Sequence, residues 1–306
     1  MIRVLATDGM EASAVEKLES LGYEVVQQFY EPEDLKAAVK DADVMVVRSA
    51  TKVRKDIIDA AAETGRLKLV IRGGVGIDNI DKAYAEEHGI KVTNTPAASS
   101  ASVAELTIGH MFSMARYIGI ANATMRNGEW NKKKYEGTDL GGKTLGLVGY
   151  GRIAREVAKR AAALGMNVVY NKRSGEDPEE KTARFVDMDT LIKESDFISL
   201  HIPAQSGRDY VFGKEEIASM KDGVFLINTS RGGLIDEDAL VEALDSGKVE
   251  GAALDVYKEE PTKNEKIMKH PKISMTRHIG AATKEAQTRI GGEIIEIITD
   301  FFGETK

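Results

Sequence analysis

Thr144-Leu145-Gly146-Leu147-Val148-Gly149-Tyr150-Gly151-Arg152-Ile153-Ala154-Arg155 is the stretch on which the reading of the fold turns. Residues 145–148 form a short apolar run with the length of a buried strand, and residues 155–164 are good helix formers. The glycines lie between the two, where a dinucleotide-binding loop belongs. Gly149 permits the tight turn, and Gly151 lets the backbone approach a pyrophosphate at the helix N-terminus. Ala154 replaces the third glycine and is still small enough for close helix–strand packing.

Asn171 comes directly after the next strand, where an aspartate would bond the ribose hydroxyls and repel a 2′-phosphate. Asparagine keeps the hydrogen bond and lacks the repulsion. Lys172, Arg173 and Ser174 follow, either as a phosphate site or as a solvated basic turn. The cofactor is therefore expected to be NAD or NADP.

Outward from this loop, apolar runs alternate with amphipathic stretches, the pattern of βα units and parallel sheets. Strands are expected at 3–6, 24–27, 44–48, 68–71 and 91–93, and again at 144–148, 167–170, 197–200, 224–228, 251–255 and 273–276. One long helix is expected over 102–126, ended by Asn127-Gly128. Another, over 284–302, carries Ile290, Ile294, Ile297, Ile298 and Phe301 and should pack back on the first unit. The fold class is α/β, with two doubly wound parallel-sheet domains.

The chain has 306 residues, long enough for two such cores, with 42% apolar and 30% charged residues. A formal charge of −7 argues against nucleic acid and acidic membranes as partners, though clustered arginines still allow a small anionic substrate. Without cysteine there are no disulfides, thiolate nucleophiles or sulfur-ligated zinc, and no metal site is expected. Residues 1–5 run straight into a strand rather than a signal peptide, and no stretch suits a bilayer, so a cytoplasmic protein is expected.

The last quarter holds the chemistry. Leu226-Ile227-Asn228-Thr229-Ser230-Arg231-Gly232-Gly233 is a buried strand ending in a polar turn, which aims Arg231 at the ligand side of a parallel sheet. A domain-edge salt bridge is the alternative for that arginine. Asp255 ends the next strand, suited to a nicotinamide contact or to capping a turn, and Glu260 follows within one loop. His278 lies in a small-residue turn after the last strand, unlike His88, His110, His201 and His270, which read as structural or solvated. A guanidinium for a carboxylate, an imidazole for a carbonyl oxygen and a carboxylate behind the imidazole are what hydride transfer to a 2-keto acid needs.

At these residues the chain resembles the D-isomer-specific 2-hydroxyacid dehydrogenases, most closely their phosphoglycerate-oxidising members. The resemblance runs from about residue 44 to 289, through Val47-Arg48-Ser49-Ala50-Thr51-Lys52-Val53, Arg72-Gly73-Gly74-Val75-Gly76-Ile77-Asp78-Asn79-Ile80-Asp81, the glycine loop, Thr229-Ser230-Arg231-Gly232-Gly233, Glu259-Glu260-Pro261 and His278-Ile279-Gly280. It implies a flavodoxin-like substrate-binding domain, 1–98 plus 286–306, and an inserted Rossmann dinucleotide domain, 99–285. It implies His278 as proton donor, Glu260 as its partner and Arg231 as carboxylate anchor. Gly74, Val75 and Gly76 would bind the substrate carboxylate, with Arg48, Ser49 and Arg72 on the substrate and the two arginines facing its phosphate. Val75, Gly149, Gly151, Arg152, Ile153, Asn171, Lys172, Arg173, Ile202, Pro203, Thr229, Ser230, Asp255, Gly280 and Ala281 would line the cofactor.

The resemblance further implies a homodimer built through residues 100–140. Glyoxylate or hydroxypyruvate reduction with NAD(P)H is the alternative within the class, and a dinucleotide-binding corepressor the alternative outside it. Arg277 stands where the family usually has proline before the histidine.

Overall fold

The computed structural model describes residues 1–204 and 210–303. They fall into two compact units, Met1–Ser99 with the segment from Ala281 on, and Ser100–Gly280.

The first unit is built on β1 (Arg3–Ala6), β2 (Glu24–Gln27), β3 (Val44–Val47), β4 (Leu69–Arg72) and β5 (Lys91–Asn94), with α1 (Ala12–Ser20), α2 (Pro32–Ala38), α3 (Lys55–Ala62) and α4 (Lys82–Glu87) between them. All pairings are parallel, in the order β2-β1-β3-β4-β5, the flavodoxin-like arrangement. Alternation along the strands sorts the core onto two faces. Met45 and Val47 pack with Ile57 and Val70, while Val44 and Val46 pack with Ile71.

The last helix, Lys284–Phe302, covers that second face. Thr283 caps it by accepting the Ala286 N–H at 3.0 Å. Ile290, Ile294 and Ile298 are buried as the stripe requires, but Phe301 remains 40% exposed, its ring 5.4 Å from the Lys91 ammonium. Gly291 lies so close to α1 that a Cβ there would come 2.7 Å from Ala14 Cβ.

The second unit opens with α5 (Ser100–Ala115) and α6 (Ile118–Arg126), where the sequence predicts one helix. The break is imposed by a contact from further along the chain. The Ala115 carbonyl accepts the Thr138 N–H at 2.8 Å instead of continuing the helical ladder, and Tyr117 turns left-handed at φ +56°. The sheet that follows contains β6 (Thr144–Val148), β7 (Asn167–Asn171), β8 (Arg184–Phe185), β9 (Phe197–Leu200), β10 (Val224–Asn228), β11 (Val249–Leu254) and β12 (Ile273–Met275).

Its order is β12-β11-β10-β9-β6-β7-β8, parallel throughout among the described residues. It has seven strands where six were expected. The addition, β8, is two residues pairing with Val169 and Tyr170. The connecting helices are α7 (Arg152–Ala163), α8 (Met188–Glu194), α9 (Lys214–Ser219), α10 (Glu237–Ser246) and α11 (Glu265–Met268). No described helix is long and apolar enough to cross a membrane.

Because Ile294 is 2% exposed and lies under the first sheet, Ile294→Ala should cost about 2–5 kcal/mol. Chemical denaturation followed at first-unit positions should show the lower midpoint, with dinucleotide affinity of the folded protein unchanged.

Candidate active site

Each candidate group sits at the carboxyl end of a strand or in the turn after it, where parallel sheets present ligands. In the second unit, β6 leads into Gly149 at φ +90°, whose N–H donates to the Asn171 carbonyl at 2.8 Å. A Cβ on Gly149 would lie 2.4 Å from the His201 carbonyl oxygen and 2.7 Å from Ile202 Cγ2. Only glycine fits that turn. Gly151 faces open space, and α7 begins at Arg152, so the loop leaves room for a pyrophosphate beside Arg152 and Ile153. The residues present therefore fit a dinucleotide.

At the end of β7, Asn171 turns its amide donor to the Val186 carbonyl at 2.8 Å. Lys172 lies 3.7 Å from Asp177, which also pairs with Arg155, while Arg155 holds Glu180 at 2.7 Å. Arg173 is exposed and has no partner among the described residues. Past β9, His201 binds the Ser199 hydroxyl at 2.9 Å, and burial pushes its pKa down to about 4. His201 is thus a neutral wall of the glycine turn, followed by Ile202 and Pro203.

The Arg231 turn is organised by a side chain the sequence reading passed over. Asn228, 2% exposed, accepts the Ser230 N–H at 3.1 Å and its hydroxyl at 3.0 Å, and donates to the Arg231 carbonyl at 2.7 Å. Thr229 is tied to Thr107 of α5 at 2.9 Å. Gly232 lets the neighbouring loop close in, since a Cβ there would stand 1.7 Å from the Tyr257 carbonyl oxygen. That approach places the Arg231 turn beside the loop carrying Glu260.

Glu260 and His278 meet directly. His278 Nδ1 lies 2.8 Å from Glu260 Oε2, and the other carboxylate oxygen accepts the Tyr257 N–H at 3.1 Å. Burial works to raise the Glu260 pKa, but the His278 hydrogen bond and charge, the Tyr257 N–H and the Arg231 charge outweigh it and hold it below the usual carboxylate range. Arg231, Glu260 and His278 are thus brought into one electrostatic group.

His278 adopts φ +54°, a left-handed backbone that needs outside support in a non-glycine residue. Asp255 supplies it. Its carbonyl accepts the His278 N–H at 2.7 Å. Its carboxylate, 1% exposed, accepts Thr276 Oγ1 at 2.6 Å and the N–H groups of Ile279 and Gly280 at 2.8 and 2.9 Å. Asp255 therefore caps the 276–280 turn. Arg277 in that turn is exposed.

Val75 and Ala281 belong to the first unit, with Arg48, Ser49, Arg72, Gly74 and Gly76. There Asp8, just past β1 and absent from the sequence reading, anchors the loop after β3. It accepts the Arg48 N–H at 2.6 Å and the Thr51 hydroxyl at 2.6 Å. Asn79 holds the same loop by donating to the Arg48 and Thr51 carbonyls at 2.8 and 2.7 Å. Ser49 is exposed. The Arg72 guanidinium folds over its own turn, where a Cβ on Gly74 would meet Nη1 at 1.6 Å. Thr7-Asp8 directly after a predicted strand end was the available signal for Asp8.

His201 makes stability depend on pH. The unfolded chain takes up a proton on this histidine near pH 6.5, whereas the folded protein resists until about pH 4. Its contribution is fully present above pH 6.5 and should be lost as pH falls towards 4. Thermal midpoints of His201→Asn should therefore decline less than those of the parent across that window; parallel declines would remove His201 as the cause.

A family model for the NAD-binding domain of the D-isomer-specific 2-hydroxyacid dehydrogenases matches residues 108–280. A hydroxypyruvate reductase of Thermotoga maritima is 47% identical over 303 residues, covering 97% of both chains. A D-3-phosphoglycerate dehydrogenase of Methanocaldococcus jannaschii is 45% identical over 306 residues, covering 97% of this chain and 57% of that protein. The structure of a glyoxylate reductase from Paecilomyes thermophila superposes with a TM-score of 0.90 at 33% identity, covering 100% of this chain and 97% of the other. Similarity that extends over nearly the whole chain, with the nucleotide sheet matched as such, means that the chain belongs to the D-isomer-specific 2-hydroxyacid dehydrogenases, a family of NAD(P)-dependent oxidoreductases.

Proposed function

We propose that the chain oxidises D-3-phosphoglycerate to 3-phosphohydroxypyruvate, the first step towards serine, with His278, Glu260 and Arg231 as its catalytic residues. The observation that carries the chemistry is the 2.8 Å contact between His278 Nδ1 and Glu260. With Nδ1 engaged, Nε2 is the atom that exchanges a proton with the substrate oxygen. Glu260, kept anionic, orients the ring and offsets the charge the imidazole gains when the hydroxyl proton arrives. Arg231 holds the substrate carboxylate with its guanidinium fork. A nicotinamide held at the glycine loop would supply the hydride acceptor for this oxidation at C2 and the donor for its reverse. The glycine loop, Asn171 to Arg173, Ile202, Pro203, Thr229, Ser230 and Gly280 are the second unit's cofactor-binding residues in this reading.

The phosphate is assigned to Arg48 and Arg72, with Ser49 and the Gly74–Val75–Gly76 turn for the remainder of the substrate. Guanidinium groups suit phosphate, and these two stand at the carboxyl ends of neighbouring parallel strands, Arg72 as the last residue of β4 and Arg48 just past β3. Hydroxypyruvate or glyoxylate reduction is the second reading, favoured by the full-length match to a hydroxypyruvate reductase. Absorbance at 340 nm with 3-phosphohydroxypyruvate or hydroxypyruvate, and NADH or NADPH, separates the two. A large kcat/KM preference for the phosphorylated acid is expected. Arg48→Ala or Arg72→Ala should weaken phosphoglycerate binding by about tenfold or more, and glycerate binding far less. Equal losses for both acids would make these arginines structural.

We also infer a homodimer. Helix α6 buries none of its residues within the chain, and Ile118, Met125 and Trp130 are 54%, 53% and 78% exposed in one short segment. Size-exclusion chromatography with light scattering should give twice the chain mass for the parent and a monomer for Met125→Asp with Trp130→Asp. A monomeric parent would remove the inference.

A further inference from the structure

His110 is a buried imidazole that the proposed reaction leaves unused. His110 on α5 is 4% exposed, and both ring nitrogens have partners on the strand leading to His278. Nδ1 lies 2.9 Å from the Ser274 hydroxyl and Nε2 lies 2.9 Å from Thr276 Oγ1. Ser274 is in turn 3.0 Å from the Ser113 hydroxyl.

The direction of these bonds follows from their far end. The Asp255 carboxylate takes the Thr276 hydroxyl proton at 2.6 Å. Thr276 has one proton to give, so towards His110 it accepts, and His110 Nε2 carries the hydrogen. On the other side of the ring, Nδ1 faces the Ser274 hydroxyl, which is itself the donor towards Ser113. Burial favours a neutral ring by lowering the His110 pKa, with the Asp255 charge acting the other way.

We propose that His110 is a positioning residue for His278, acting through Thr276 and Asp255 on the turn that sets the His278 backbone. The inference rests on His278 as the proton carrier. Thr276 is held from α5 by His110, and the same hydroxyl fixes which way Asp255 faces. Asp255 then holds the Ile279 and Gly280 amides and, through its own carbonyl, the His278 N–H. Arg277, exposed in this turn, lacks the fixed φ a proline would impose, so the turn depends on this outside brace.

The test compares His110→Leu, His110→Gln and Thr276→Val with the double variant His110→Leu/Thr276→Val. Glutamine keeps an N–H near the place of Nε2, whereas leucine keeps none. His110→Leu should lower kcat by about tenfold or more with the dinucleotide dissociation constant within about twofold, because misplacement of a reacting group acts on rate. His110→Gln should recover most of the loss, and the double variant should be no worse than Thr276→Val alone, as links of one chain require. Hydrogen exchange should accelerate at the Ile279 and Gly280 amides while β6 and β9 keep their protection.

Parent-like kcat and exchange in His110→Leu, or additive losses in the double variant, would overturn the proposal. Should His110→Leu fail to fold, the His110→Gln and Thr276→Val exchange data decide it: parent-like protection at 279–280 in Thr276→Val excludes the brace. Turnover surviving in His278→Gln would instead remove the underlying reading of His278, whatever the exchange shows.

Discussion

A carboxylate that is 1% exposed is tolerable only if its lone pairs are answered, and Asp255 answers them with a hydroxyl and two backbone amides. Its own N–H donates to the Asn228 carbonyl at 3.0 Å, and its carbonyl takes the His278 N–H. Three strand ends therefore converge on one residue. Asn228 shapes the turn that carries Arg231, Asp255 directly follows β11, and the 276–280 turn carries His278. Each unmet donor would cost roughly 1–3 kcal/mol, so the geometry of the proposed catalytic residues is built into the folding of the sheet edge.

Three imidazoles in this unit illustrate how surroundings assign work to one residue type. His201 and His110 are engaged by hydroxyls and favoured neutral by burial, which suits wall and brace. His278 stands 40% exposed with a carboxylate on one nitrogen and the other directed away from it. Only there are a proton partner and access to solution combined. The nearby glycines work in the same sense. Gly149 and Gly232 are places where a neighbouring carbonyl occupies the position a side chain would need, so the turns holding cofactor and Arg231 are set by close approach.

Much of this was legible beforehand because strong signals were local. β1, β2, β6, β9 and β10, and the last helix, agree residue for residue with the periodicity of the sequence, since each is a run long enough to show its pattern. β8 was missed because Arg184-Phe185 is too short to carry one. The break between α5 and α6 was missed because nothing at Arg116-Tyr117 marks it; the interruption comes from Thr138, more than twenty residues downstream. Arg231, Glu260 and His278 stand out in the sequence as candidates because residue type coincides with a place in or near the turn after a strand. Asn228 and the partners of His110 could not, because their roles exist only as contacts, and Asp8 offered no more than its place after a strand end. Ser274 and Thr276 lie 164 and 166 residues from the histidine that binds them.

Trp130 is the chain's single tryptophan and stands 78% exposed, outside the hydrophobic clusters of both units. Its indole is wet before unfolding and wet afterwards, so intrinsic tryptophan emission from an isolated chain is nearly blind to the loss of either core. Tyrosine absorbance, with Tyr150 stacked on Tyr170 at 3.9 Å in the second unit and Tyr23 buried in the first, follows the cores instead. The same indole responds strongly to anything that dries the surface around it. The molecule thus carries separate built-in optical reporters, one for the integrity of a core and one for the covering of an outer face.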